Sequence, residues 1–253
     1  MAITAVLALA LFVTAQFWPK RNLPPQTQPE LTAKPSERVS RPNPSASPPG
    51  SASSPSAEST TKGTATDYLN QGTKLLADGK IEPAIQFFQK ALALTPDDED
   101  LHYNLGIAYT RAGDVTNAEH HYLEALRLLP DYPEVHNNLG NLLLHSGRLA
   151  EAEQHFLEAI KLMPDYAMAH NNLGIVRQRQ KRLDEAAACF QKAAEADTNY
   201  WEAHFNLACA WLLQSNQPGA VAEFKETLRI NPNYAPAVRA LARATEENSP
   251  GAQ

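Results

Sequence analysis

An all-α fold is what this sequence of 253 residues predicts: an α-solenoid of five helix-turn-helix repeats with a C-terminal capping helix, preceded by an N-terminal hydrophobic helix and a disordered linker. Three observations carry that reading. Pro96, Pro130, Pro164, Thr198 and Pro232 stand 34 residues apart. Between those marks the same small and large side chains recur at 3- to 4-residue spacing, the signature of helices rather than strands. Ten of the 19 prolines crowd between Pro19 and Pro55, so the averages of 43 % hydrophobic and 20 % charged residues mix unlike materials.

The N-terminal segment, residues 1–18, comes first. Ala2 to Trp18 contain no charged side chain. As a helix they would span about 26 Å, slightly less than the ~30 Å hydrocarbon core of a bilayer. Trp18 sits where an interfacial aromatic belongs and Lys20-Arg21 follow as a polar stop. Two readings stay open: a single-pass transmembrane anchor contacting the membrane through residues 2–18, or a signal segment cleaved near Val13-Thr14-Ala15 with export of the rest. As an anchor, with Lys20-Arg21 the nearest basic pair, it leaves the bulk of the chain on the cytoplasmic side.

Residues 19–64 form the linker. Leu23, Leu31 and Val39 are nearly its only aliphatic residues, too few to offset the entropy of ordering. An extended Pro/Ser/Thr-rich spacer, partly polyproline II, is expected. Its six basic and three acidic residues give +3, so the rest of the chain carries −9 of a net −6.

Five units follow: 65–98, 99–132, 133–166, 167–200 and 201–234. Position 8 of each is Gly72, Gly106, Gly140, Gly174 or Ala208, small enough for two helices to approach closely. Position 24 is Phe88, Tyr122, Phe156, Phe190 or Phe224, an aromatic expected to fill the gap between neighbouring units. Gly79, Gly113 and Gly147 mark the turn within a unit, where a left-handed residue is wanted. Lys181 and Ser215 replace that glycine, so those two turns are expected to differ. Residues 235–248 read as a polar-faced capping helix, which a solenoid needs at its end, and 249–253 as a disordered tail.

Over residues 65–234 these positions resemble the tetratricopeptide repeat family. The resemblance implies a right-handed solenoid whose first helices line a concave groove, and it places positions 2, 5, 6, 9, 12 and 13 of each unit there. Position 6 is asparagine throughout: Asn70, Asn104, Asn138, Asn172 and Asn206. An asparagine both donates and accepts, so such a column can hold an extended backbone. It is similar to the asparagine ladder of the repeat region of O-linked N-acetylglucosamine transferases; the alternative is that this asparagine is family consensus. Tyr103, Asn137, Asn141, Asn171 and Phe205 vary from unit to unit and are candidates for specificity. Arg111, His145 and Arg179 form a basic stripe at position 13; Asp100, Glu134 and Glu202 oppose it at position 2. The lysines with which chaperone-binding members of the family grip a terminal carboxylate are missing.

Other functions are disfavoured by content. A pI near 5.8 argues against nucleic acid as partner. No phosphate-cradling, dinucleotide or nucleophile-elbow motif is present, so neither a small-molecule substrate, a cofactor nor an enzymatic activity is expected. His102, His136, His170 and His204 recur one unit apart, too far for shared ligation, and are expected to pack between helices rather than hold a metal. Cys189 and Cys209 fall on different faces and are expected to be free thiols. The expected partner is a protein or peptide, met by a membrane-tethered scaffold through its groove. Two alternatives are an assembly factor for a secretion or pilus-type complex acting through other surfaces, and a non-catalytic targeting subunit of a separate glycosyltransferase.

Overall fold

The computed structural model describes residues 63–246. The N-terminal segment 1–18, all but the last two residues of the linker and the tail 249–253 lie outside the described residues. Among the described residues no helix is long and apolar enough to cross a membrane.

Eleven helices make up this region. They are α1 (Ala65–Ala77), α2 (Ile81–Leu92), α3 (Glu99–Ala112), α4 (Val115–Leu128), α5 (Pro133–His145), α6 (Leu149–Leu162), α7 (Ala167–Arg179), α8 (Leu183–Ala196), α9 (Trp201–Leu213), α10 (Gln217–Ile230) and α11 (Ala235–Glu246). The odd-numbered helices begin 34 residues apart. Local chemistry sets several starts. Thr64 and Asp67 form a reciprocal capping box ahead of α1, and Asp98 accepts from the Leu101 amide ahead of α3. Pro133 opens α5, where its missing N–H is no loss.

Each of α3, α5, α7 and α9 packs against the even helix of its own unit and against the even helix before it, α1 packs on α2, and α11 packs on α10. Odd helices also touch one another across units, α1 on α3, α3 on α5 and α5 on α7. The odd helices therefore crowd one face and the even helices spread on the other, giving an all-helical solenoid with a face lined by first helices.

The core repeats with the sequence. Phe88, Tyr122, Phe156, Phe190 and Phe224 are all buried. Each ring of the first four lies on the position-8 glycine of its own unit: a Cβ on Gly72, Gly106 or Gly174 would stand 2.5 Å from the ring, and one on Gly140 2.8 Å. This corrects the expectation that the aromatic fills the gap between units. The ring instead seals the contact between the two helices of one unit, and the missing Cβ makes room for it.

A second correction concerns the turns. Gly79, Gly113 and Gly147 adopt φ of 75°, 79° and 79°. Lys181 and Ser215 do the same, at 64° and 61°. The hydrogen bonds match as well: Arg182 N–H donates to Arg177 C=O at 2.9 Å just as Arg148 N–H donates to Leu143 C=O at 2.9 Å. The packing of the helix pair dictates the turn, and the side chain accepts the left-handed conformation.

Arginine forks tie units together. Arg148 donates to Glu119 of the preceding unit at 2.7 Å and to Glu151 of its own at 2.6 Å. Arg182 repeats this with Glu153 at 2.8 Å and Glu185 at 2.7 Å. Arg177 joins the second fork, 3.6 Å from Glu153 and 3.4 Å from Glu185.

Candidate partner-binding groove

Helix periodicity brings the odd-helix positions 2, 5, 6, 9 and 13 into columns, and the close approach of α1, α3, α5 and α7 lets neighbouring columns bond. Asn206 donates through Nδ2 to Asn171 Oδ1 at 2.8 Å, and Asn172 donates to Asn137 Oδ1 at 3.0 Å. Asn138 donates to the Tyr103 hydroxyl at 3.3 Å. Each bond runs from position 6 of one unit to position 5 of the unit before. At that place the first unit has Leu69, which cannot accept, and Asn104 turns to the Asp100 carbonyl of its own helix at 2.7 Å. Asn70 is exposed, whereas Asn104, Asn137, Asn171, Asn172 and Asn206 are buried. Three of the five position-6 asparagines, Asn138, Asn172 and Asn206, thus spend a donor between units. Asn141 is half-buried with its Oδ1 shut off from solvent and without a hydrogen-bond partner.

Position 13 is engaged too. Arg111 donates to the Leu76 carbonyl at 2.8 Å and Arg179 to the Leu144 carbonyl at 3.1 Å. Each guanidinium satisfies a carbonyl in the last turn of the preceding first helix, where the helix dipole favours a cation. His145 is exposed at the end of α5 between them.

The opposite edge is built from tyrosines that the sequence reading passed over. Tyr132, Tyr166, Tyr200 and Tyr234 each stand just before an odd helix, at position 34. Tyr132 donates to Asp100 Oδ1 at 2.7 Å and its ring lies 5.2 Å from that of Tyr103. Tyr234 packs 4.4 Å from Trp201 and 5.0 Å from Phe205. Burial pushes the hydroxyl pKa of Tyr103, Tyr132, Tyr166 and Tyr200 well above the ordinary phenol value, and that of Tyr234 up to about 12. Tyr103 and Tyr132 are neutral hydroxyls near the carboxylates of Asp100 and Glu134, Tyr166 lies near Glu134, and Tyr200 and Tyr234 lie near Glu202. The 34-residue spacing of these tyrosines was the available signal.

The histidines pair within units. His102 Nδ1 lies 3.0 Å from His121 Nδ1, and His136 Nδ1 lies 3.0 Å from His155 Nδ1. Their outer nitrogens face the Pro96 and Pro130 carbonyls at 3.2 and 3.1 Å, which makes Nε2 the donor and leaves Nδ1 to accept from the partner ring. In the fifth unit Glu223 takes the partner's place, 2.5 Å from His204 Nδ1. Sequence reading compared histidines one unit apart and so missed partners 19 residues away. Among the described residues no group of three or more His, Cys, Asp or Glu side chains is placed to hold a metal. Cys189 and Cys209 are both free and buried, the latter with its thiol pKa pushed up to about 12 by burial.

Family comparison agrees with this architecture. Tetratricopeptide repeat models match residues 97–165, 131–199 and 171–235, and a TPR repeat model matches 72–113. Among curated proteins no sequence matches. Among solved structures, pilF of Pseudomonas aeruginosa is similar at 24 % identity and a TM-score of 0.67, covering 72 % of this chain and 85 % of that one. YrrB, described as a TPR protein with an unusual peptide-binding site, is similar at 23 % identity and a TM-score of 0.56, covering 70 % and 91 %. A thermophilic TPR protein of Thermus thermophilus is similar at 22 % identity and a TM-score of 0.59, covering 72 % and 100 %. At these identities the likeness is one of fold. With period, packing and family matches in agreement, the chain belongs to the tetratricopeptide repeat family and is built as a protein–protein interaction scaffold.

Proposed function

We propose that the chain is a membrane-tethered scaffold that takes an extended partner segment along its first-helix face. One observation carries the groove reading: the odd helices crowd together and present a continuous face of half-buried aromatic and polar side chains, Tyr103, Tyr132, Asn138 and Asn141 among them. The rungs between position 6 and position 5 hold that face rigid, so a bound segment meets a preformed surface. Support for the tether is the uncharged run from Ala2 to Trp18. Holding the repeats at a membrane raises their local concentration toward a membrane-associated partner.

A second reading uses the outer face. Leu123 on α4 and Leu157 on α6 occupy the same position of consecutive units and remain 47 % and 44 % exposed. An assembly factor would bind folded subunits there.

Site-specific photo-crosslinking in cells separates the two. The groove reading expects partner adducts from probes at Thr73 and Gln178, on the first helices α1 and α7, and not from probes at Gln89 and Gln191, on the second helices α2 and α8. Adducts confined to Gln89 and Gln191 would put the outer-face reading in its place.

A further inference from the structure

The tyrosine edge of the groove lies where the chain itself enters the solenoid. The odd helices run parallel, so their starts lie along one edge: Asp100, Glu134 and Glu202 one residue inside three helices, Tyr132, Tyr166, Tyr200 and Tyr234 one residue ahead of four. Gly63 and Thr64, ahead of α1, belong to that same edge. Among the described residues Asp100 and Glu134 are in no ion pair, whereas Arg148 and Arg182 each bridge two carboxylates. Aromatic rings beside carboxylates outside any ion pair suit a segment that carries both prolines and arginines. Proline rings pack on aromatic faces with little entropy left to lose, and guanidinium groups bond carboxylates and stack on phenol rings.

Such a segment precedes the solenoid in the same chain. Residues 34–44 read Lys-Pro-Ser-Glu-Arg-Val-Ser-Arg-Pro-Asn-Pro, with three bases against one acid. The 18 residues from 45 to 62 connect it to Gly63. At ~3.1 Å per extended residue they reach about 55 Å, enough for the segment to fold back over the first units. Charge is complementary as well, since residues beyond the linker carry −9 against +3 for the linker.

We propose that residues 34–44 occupy the acid–tyrosine edge at Asp100, Tyr132 and Glu134, so that the free protein covers its own groove and a partner enters by displacing that segment. This rests on the groove being the binding face. Tethering supplies an effective concentration near the millimolar range, so an affinity of about 100 μM is enough to keep the edge covered.

The test uses a fluorescein-labelled peptide of residues 34–44 and fluorescence anisotropy. Residues 63–253 serve as receptor, because among the described residues the buried core side chains run from Leu76 to Ala244 and all lie within the solenoid. Saturable binding is expected, weakened about fivefold or more by Asp100→Asn with Glu134→Gln, and likewise by Arg38→Glu with Arg41→Glu in the peptide. Circular dichroism confirms that the receptor variant stays folded. The full chain should take up the labelled peptide at least about fivefold less well than residues 63–253, because its own segment competes. No saturable binding, equal binding of the charge-reversed peptide, or equal uptake by the full chain overturns the proposal. Groove crosslinks to a partner together with failure of the peptide would remove self-docking and leave the groove reading standing. Peptide binding together with crosslinks only from α2 and α8 would remove the groove reading, leave the segment docked and overturn its displacement by a partner.

Discussion

Lys181 and Ser215 carry backbone strain that their counterparts escape. A side chain in the left-handed region costs about 1 kcal/mol relative to glycine, and both residues stand there at positions filled elsewhere by Gly79, Gly113 and Gly147. Lys181→Gly and Ser215→Gly should therefore each stabilise the protein by about 0.5–1 kcal/mol, in spite of the extra freedom glycine gives the unfolded chain. Urea unfolding monitored by circular dichroism measures this. A lower midpoint for either variant would mean that the native side chain makes a compensating contact. The two residues also show what a sequence withholds. Their side chains argued for a different turn, yet the helix pair around them leaves only one way to reverse the chain in that length.

At the scale of the element, the contact between glycine and aromatic ring decides how closely the two helices of a unit approach. Gly106 faces Tyr122, whose ring is buried and whose hydroxyl lies 3.2 Å from Thr110 Oγ1. Gly106→Ala would set a methyl against that ring and prise α3 from α4, at about 1–3 kcal/mol. The variant should melt several degrees lower by differential scanning calorimetry, and an unchanged melting temperature would show that the ring can swing aside. This element was legible in the sequence, because small and large residues recur at fixed positions of every unit. The rungs between units were not. Asparagine at position 6 was visible, but its acceptor is set by the approach of adjacent units, which no pattern within one helix encodes. The change of partner at Leu69, where Asn104 turns to its own helix instead, shows the same dependence.

For the whole molecule, the histidine pairs make stability respond to acid. Burial, then neighbouring charge, holds His121 down to about 4, and burial likewise lowers His136, His145 and His155. Below the ordinary imidazole value near 6.5 the unfolded chain takes up these protons while the folded chain resists them, so stability falls as pH drops. His204 works the other way. Its bond to Glu223 raises its pKa, so its contribution is full below about 6.5 and fades as pH rises through the folded value. Four groups oppose one, and the melting temperature should fall by several degrees between about pH 7 and pH 5. A His136→Tyr/His155→Phe variant, copying Tyr68 and Phe87 of the first unit, should flatten part of that slope. An equal slope in the variant would assign the acid response to other groups.

Cys189 and Cys209 lie on α8 and α9, one on each side of the junction between the fourth and fifth units. Buried, neutral thiols are poor nucleophiles until the packing over them opens. The two thiols thus act as chemical clocks: an alkylating reagent added to the native protein consumes each sulfur only as fast as the packing around it opens.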